Sequence, residues 1–339
     1  MTVRVGLIGA GVMGTDHAGT LAQAVAGAEL AAVADADPGR MDAIVASFAG
    51  AGAHADPQAL IRDRAVDAVL IASPDETHAA LVAACLRIGK PVLCEKPLAP
   101  TAAECLEIVR AESALGRRLI QVGFMRRFDP GYLEMKRSLD AGELGAPLLM
   151  HCAHRNRIAP PFIDSQSLIS NAAVHEIDIA RWLLGREITR ATVLASRSSS
   201  RAKIRDPQLV LLETEDAVLV DVEVFVNAQY GYDVRGELVC ETGTVALRAP
   251  SAVRRRSAGG EGFRHAEDWR GRFRAAYRAQ LQAWIGSVRG GAAAGASAWD
   301  GYAASAVADA CLESQRTGQP TAVLLEPRPA LYQPAAPTA

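Results

Sequence analysis

Several features that would direct this chain to a membrane, a nucleic acid or a disulfide framework are missing from its sequence. The 36 lysines and arginines are offset by 38 aspartates and glutamates, so no basic excess exists to attract nucleic acid or an anionic membrane. No apolar run has the length that a membrane-spanning helix requires. The six cysteines form no C-x-x-C pair, which argues against a structural zinc site and predicts reduced thiols in the cytoplasm.

The length and composition predict two domains. At 339 residues the chain exceeds one typical core, and 50% hydrophobic with 22% charged residues is usual for a globular enzyme. A strand is predicted to begin close to the start of the chain, so we expect no signal peptide. We place the first domain at residues 1–124 and the second at 125–330, and we expect the Pro- and Ala-rich tail, 331–339, to be mobile.

A glycine-rich turn at the start of the chain is the strongest local signal. The apolar run at residues 3–8 reads as a buried strand and leads into Gly9-x-Gly11-x-x-Gly14. Gly9 would permit a tight turn, Gly11 would let the backbone approach a pyrophosphate, and Gly14 would let the next helix pack closely. The N–H groups and positive dipole end of that helix would then hold the phosphates. An ordinary strand–turn–helix is the alternative.

Asp35 ends the second predicted strand, 21 residues after Gly14. A carboxylate at this position can accept hydrogen bonds from both adenosine ribose hydroxyls of NAD and repels the 2′-phosphate of NADP. No arginine follows directly, so the sequence favours NAD. The alternative for Asp35 is a helix N-cap ahead of Pro38, a role that Asp37 fills better.

Strands and helices alternate through the rest of the first half. Buried strands are predicted at 66–73, 91–94 and 119–124, with helices at 77–88 and from 101 to 116. This alternation predicts an open, doubly wound α/β sheet whose ligand lies beyond the carboxyl ends of the strands. Lys96 follows such an end, where its ammonium could stabilise developing alkoxide charge. A surface lysine before a turn proline is an equal alternative.

In the second half, a helical pattern over 171–184 places Asn171, His175 and Asp178 on one face. A neutral imidazole there would suit a general base, and a solvated helix face with a lone histidine is the alternative.

From residue 188 onward the pattern is typical of an antiparallel sheet: valines at 218, 220, 222, 224 and 226 alternate with a mixed set of polar and apolar residues. One sheet face is therefore expected to be apolar and the other solvated or part of a subunit interface. The last helix is predicted at 303–318.

Seven short motifs occur in order along nearly the whole chain: GAGVMG (9–14), EKP (95–97), GFMRRFD (123–129), HCAHRN (151–156), HEID (175–178), YGYD (230–233) and AWDGY (298–302). Together they resemble the Gfo/Idh/MocA family of oxidoreductases and, within it, the inositol dehydrogenases. The resemblance implies an N-terminal Rossmann domain and a C-terminal α+β domain with a large, mostly antiparallel sheet, through which members commonly associate, often as homotetramers.

The resemblance also implies the site residues. Lys96 and His175 would line the reacting centre, with Asn171 beside the histidine. The expected NAD contacts are Gly9, Gly11, Val12, Met13, Gly14, Asp35, Ser73, His78 and Glu95. The expected polyol contacts are Met125, Arg126, His154, Asn156 and Tyr232.

One position departs from the family pattern. The inositol dehydrogenases carry an aspartate four residues before the histidine, and this chain has Asn171. An amide can orient the ring but carries no charge to offset the imidazolium. Replacing a charge-assisted hydrogen bond by a neutral one forfeits ~1–2 kcal/mol, about a tenfold effect on proton transfer.

The sequence thus predicts NAD-dependent oxidation of a ring hydroxyl of a cyclitol to a ketone, with myo-inositol as the first substrate, no metal, and no nucleic acid or membrane partner. The alternatives are another cyclitol, an aminocyclitol or a hexose as substrate; an NAD-dependent glycosidase; and a non-catalytic dinucleotide-binding regulator.

Overall fold

The computed structural model describes residues 2–160, 163–248 and 255–333, and these divide into two compact units. Unit 1 contains the chain up to Met125, Tyr277–Ser305 and the described residues from Glu326 onward. Unit 2 contains Arg126–Ala276 and Ala306–Leu325. Two long helices contribute residues to both units: α8 (Trp269–Val288) and α9 (Ala298–Thr317).

Unit 1 is built on a six-stranded sheet in the order β3-β2-β1-β4-β5-β6, with every neighbouring pair parallel. Its strands are β1 (Val3–Ile8), β2 (Ala28–Ala34), β3 (Gly52–His54), β4 (Ala68–Ile71), β5 (Val92–Cys94) and β6 (Ile120–Val122). Because a parallel sheet of this kind is buried on both faces, its strands are continuous apolar runs. The predicted doubly wound α/β sheet is confirmed.

Five helices of unit 1 lie between these strands: α1 (Val12–Ala24), α2 (Pro38–Ser47), α3 (Pro57–Arg62), α4 (His78–Arg87) and α5 (Ala102–Leu115). Local sequence explains their starts. Asp37 and Asp56 accept N–H groups of the first turns of α2 and α3, and Thr101 and Glu104 form a capping box on α5. Among the helices of the described residues, none is both long and apolar enough to cross a bilayer.

Unit 2 is built on a seven-stranded sheet in the order β12-β11-β7-β10-β9-β8-β15, antiparallel except where β10 runs parallel to β7. Its strands are β7 (Pro147–Arg155), β8 (Ile188–Ala195), β9 (Gln208–Thr214), β10 (Leu219–Phe225), β11 (Asp233–Cys240), β12 (Thr244–Ala246) and β15 (Thr321–Ala322), and a separate hairpin pairs β13 (Arg255–Ser257) with β14 (Gly260–Gly262). All five alternating valines at 218–226 are buried, which confirms the predicted apolar face. Its helices include α6 (Pro130–Asp140) and α7 (Val174–Leu184).

Two helix starts differ from the sequence prediction. Helix α9 begins at Ala298 rather than at 303, because Ser297 and Asp300 exchange side-chain and backbone hydrogen bonds as a capping box. The small residues before it resemble a loop and hide this start. Before α7, residues Leu168–Ala173 form a π-helix, so Asn171 lies in a wider turn than the predicted α-helix.

The C-terminal segment is tied to unit 1 at Tyr332. Its ring is buried, and its hydroxyl donates a 2.6 Å hydrogen bond to the Glu112 carboxylate, which also accepts the N–H groups of Leu119 and Ile120. Burial raises the pKa of Glu112. Within the predicted tail the chain is therefore held at Tyr332, whereas residues 334–339 lie outside the described part.

Replacing Tyr332 by phenylalanine removes one hydrogen bond to a buried carboxyl group and keeps the ring. We expect the free energy of unfolding to fall by about 2 kcal/mol. Chemical denaturation measures this, with Gln333→Ala, an exposed neighbour, as the control. Equal midpoints for the two variants would show that the hydroxyl does not anchor the segment.

Candidate functional site

The glycine turn after β1 is shaped by close backbone approaches. Gly9 has φ +98°, and a Cβ there would lie 2.5 Å from the backbone of Ala72 and Ser73. A Cβ on Gly14 would lie 1.8 Å from the Gly9 carbonyl oxygen, so the first turn of α1 packs directly on the loop. Gly11 differs, since a Cβ there meets nothing within 4 Å, and no side chain caps the N-terminus of α1. The turn therefore leaves open space in front of uncapped N–H groups.

Asp35 lies beside this turn and braces it. One carboxylate oxygen accepts the Ala10 N–H at 2.5 Å, and the other accepts the Asp37 N–H at 2.7 Å. Asp37, not Asp35, caps α2, as the sequence suggested. Each Asp35 oxygen keeps a further lone pair, so the carboxylate can still accept hydroxyl hydrogens. Val12 is exposed, and Met13 is half-buried next to it.

His78 joins the loops that follow β4 and β5. Its Nδ1 lies 2.7 Å from the Pro97 carbonyl oxygen and its Nε2 lies 2.9 Å from the Ser73 carbonyl oxygen. The ring is buried, so both nitrogens are occupied by backbone rather than open to a ligand. The Ser73 hydroxyl contacts that of Thr77 at 2.6 Å. His78 therefore fixes the backbone at Ser73 and at Pro97, the residue after Lys96.

Glu95, the residue before Lys96, is paired with a histidine that the sequence analysis did not single out. Its carboxylate lies 2.8 Å from His17 Nε2, and both side chains are buried. The other Glu95 oxygen accepts the Lys96 N–H at 3.3 Å. A Cβ on Gly123 would lie 2.6 Å from the same carboxylate. Contacts with α1 and with the end of β6 thus set the backbone position of Lys96.

In unit 2, helix α7 is buried around its whole circumference. Every residue of Val174–Leu184 except Trp182 is buried, including His175, Glu176 and Asp178. The alternative of a solvated helix face is therefore wrong. Asp178 receives two hydrogen bonds from the Arg127 guanidinium, at 3.0 and 2.6 Å.

Glu176 lies at the centre of a buried polar cluster. One carboxylate oxygen is paired with the Arg126 guanidinium, and the other lies 3.1 Å from His154 Nδ1. The same Nδ1 lies 3.2 Å from Arg126 Nη2, and His154 Nε2 lies 3.1 Å from Asn156 Oδ1. Burial acts to raise the pKa of Glu176, but the Arg126 guanidinium and the hydrogen bond with His154 hold it below its ordinary value.

Aromatic rings close around this cluster. The Tyr232 ring meets His154 edge-on at 5.8 Å between centroids, and the His175 ring lies 6.2 Å from that of His154. The Arg126 guanidinium lies 5.5 Å from the centre of the Phe273 ring. Burial raises the pKa of Tyr232 to about 12, so this phenol keeps its proton at neutral pH and can donate a hydrogen bond.

The structure therefore groups the predicted site residues in two places. Unit 1 holds the glycine turn, Asp35, Ser73, His78, Glu95 and Lys96, together with Met125, which is buried. Unit 2 holds Arg126, His154, Asn156, Asn171, His175 and Tyr232. The roles of these residues stay predictions. The sequence did not single out His17 or Glu176 as site residues. Each stands inside or next to a motif, but their partners lie 78 and 50 positions away, so the sequence gives no sign of the pairing.

Comparison with known proteins places both halves of the chain in one family. Residues 3–124 match the Gfo/Idh/MocA oxidoreductase family model for the NAD-binding Rossmann fold. Residues 136–323 match the model for the C-terminal alpha/beta domain of the same family.

Individual relatives are similar to this chain over nearly its full length. Inositol 2-dehydrogenase 1 of Saccharopolyspora erythraea is 58% identical, with 98% of this chain and 99% of that protein covered. An inositol 2-dehydrogenase of Streptomyces avermitilis is 48% identical, at 97% and 96% coverage. The crystal structure of myo-inositol dehydrogenase from Lactobacillus casei with NAD(H) and myo-inositol matches with a TM-score of 0.95 and 35% identity, covering 98% of this chain and 100% of that one. The chain belongs to the Gfo/Idh/MocA family and is an NAD-dependent oxidoreductase that acts on a CH–OH group.

Proposed function

We propose that the protein oxidises a ring hydroxyl of myo-inositol to a ketone, with NAD as the oxidant and C2 as the expected position. The observation that carries this proposal is the 58% identity, over almost all of both chains, with a protein named inositol 2-dehydrogenase 1. The polar cluster of Arg126, His154 and Asn156 supports it, because a polyol needs several fixed donors and acceptors on one side.

The residues of unit 1 fit an NAD cofactor. The open space at Gly11 and the uncapped N-terminus of α1 suit a pyrophosphate, which the helix N–H groups and dipole would hold. The remaining acceptor capacity of Asp35 suits the adenosine ribose. Val12, Met13, Ser73, His78 and Glu95 complete the proposed NAD contacts, with His78 acting through the backbone that it holds.

In the proposed mechanism, His175 accepts the proton of the substrate hydroxyl at a ring nitrogen. The Lys96 ammonium donates a hydrogen bond to the same oxygen and offsets the negative charge that develops there. Bound NAD supplies the hydride acceptor, so the alcohol carbon loses a hydride and the products are a ketone and NADH. Asn171, His154, Asn156, Tyr232, Arg126 and Met125 would orient the ring.

The rival proposals differ in what they require. A different cyclitol, an aminocyclitol or a hexose keeps the reaction, and Asn171 in place of aspartate is the feature that favours a changed substrate. A glycosidase would return the hydride and release no NADH. A non-catalytic regulator would have no use for Lys96 and His175, and both are present.

We expect purified protein to form NADH from NAD and myo-inositol in a panel that includes other inositols, aminocyclitols and hexoses. Lys96→Ala should lower kcat by about a hundredfold or more, because the oxyanion loses its cation. Asn171→Asp should raise the rate with myo-inositol about tenfold. Absorbance at the NADH band measures all three. Turnover of none of these substrates would reject the dehydrogenase proposal.

Two glycine variants separate folding from cofactor binding. Gly14→Ala places a methyl group into the Gly9 carbonyl and should lower the unfolding temperature. Gly11→Ala enters open space at an ordinary backbone angle, so its unfolding temperature should match the wild type. Its Kd for NAD should rise about tenfold or more, because the methyl group occupies the proposed pyrophosphate position. Thermal melts and NAD titration test both, and unchanged NAD binding in Gly11→Ala would contradict this placement.

We also propose that the protein works in the cytoplasm, where its six buried free thiols stay reduced.

We further propose that unit 2 pairs with a second copy of the chain through the open face of its sheet. Register places a row of leucines on that face: Leu149, Leu194, Leu209, Leu211 and Leu219. Four of these leucines are more than a third exposed, a patch typical of subunit interfaces.

Leu211→Asp should convert a dimer or tetramer to a smaller species, because a charge would be buried in the proposed interface. Light scattering after gel filtration gives the mass. Leu115→Asp, a comparably exposed leucine on α5, serves as the control and should leave the mass unchanged. A wild-type monomer would refute the proposal.

A further inference from the structure

The Glu176 carboxylate connects two side chains that are proposed to contact the polyol. Its Oε1 is paired with the Arg126 guanidinium, and its Oε2 lies 3.1 Å from His154 Nδ1. The side chains of Arg126 and Glu176 are 1% and 0% exposed, so water cannot replace either partner. The position of each of these three side chains therefore depends on the other two.

Stability alone does not account for an ion pair in this position. Removing two charges from water is costly, and a buried pair is often no more stable than apolar side chains of similar volume. What an ion pair adds is direction: one carboxylate oxygen accepts from the guanidinium and the other contacts the imidazole, so one side chain orients both. The second nitrogen of that imidazole then meets Asn156 at 3.1 Å.

The helix that carries Glu176 also carries the proposed base. His175 is the preceding residue of α7, and its ring lies 6.2 Å from that of His154. A single helix thus sets the position of the base and, through Glu176, of the side chains that hold the substrate. We propose that Glu176 is a positioning residue that orients Arg126 and His154 for the polyol; this rests on the proposed function.

Asp178 provides a matched comparison on the same helix. It forms a second buried ion pair, with Arg127 rather than with Arg126. Loss of this pair removes a comparable buried charge interaction from α7 and leaves the Glu176 carboxylate in place.

The experiment compares Glu176→Gln with Asp178→Asn in the full-length protein. Glu176→Gln should raise KM for myo-inositol about tenfold to a hundredfold, lower kcat less, and leave the Kd for NAD within about twofold of wild type. Asp178→Asn should lose a similar amount of thermal stability and keep KM near wild type. Glu176→Asp keeps the charge, should give an intermediate KM, and replaces the glutamine variant if that variant does not fold.

A second readout does not depend on turnover. The ¹⁵N signals of the His154 ring, assigned with His154→Asn, should shift in Glu176→Gln and stay at wild-type positions in Asp178→Asn. Unchanged His154 signals in Glu176→Gln, or equal KM effects in the two variants, would overturn the proposal. If wild-type protein oxidises no inositol, the proposed function fails, and the His154 signals still decide whether Glu176 positions the ring.

Discussion

A charge that is buried away from water has to meet an opposite charge, and this constraint governs helix α7. It carries Glu176, Asp178 and Arg181 into the interior, and each pairs with a residue outside the helix: Arg126, Arg127 and Glu187, respectively. An uncompensated charge in such a place costs several kcal/mol. Three matched pairs on one helix therefore fix its rotation and its position along its axis, and with them the place of His175.

In unit 1, the backbone around the glycine turn is held in place by a different constraint. Around the glycine turn the constraint is excluded volume: Gly9 against Ala72 and Gly14 against Gly9, at separations that leave no space for a side chain. The contact between Gly14 and Gly9 is local, so a short motif can encode it, whereas Ala72 reaches Gly9 through the pairing of β1 with β4. Ion pairs between distant segments need a whole fold to bring them together.

This difference explains what the sequence could predict. The glycine turn, the capping box at Thr101 and the alternating valines at 218–226 each follow from residues within one short stretch, and the parallel sheet follows from the alternation of such stretches; the structure has all four. The partners of Glu176 and of Glu95 lie on other elements, and nothing in either motif indicates which arginine or histidine they meet.

The same limit applies to the face of α7. Polar residues along one side of a helix normally predict that this side faces solvent. Only the fold shows that other polar residues cover this side of α7.

The start of α9 was not predicted, for a simpler reason. Its capping box stands in a stretch of alanine, serine and glycine, where a loop and a helix have nearly the same local signature.

The balance of charge around α7 bears on the asparagine at position 171. Glu176 and Asp178 are each paired with an arginine, so both carboxylates already offset a positive charge. If His175 takes the substrate proton, the imidazolium adds a positive charge to a group of side chains that is already balanced. An aspartate at 171 would offset that charge, whereas an amide cannot. Under the proposed mechanism, proton transfer to His175 then has less electrostatic stabilisation. In that mechanism the residue at 171 acts on the charge of the base, whereas Glu176 is proposed to act on the orientation of Arg126 and His154.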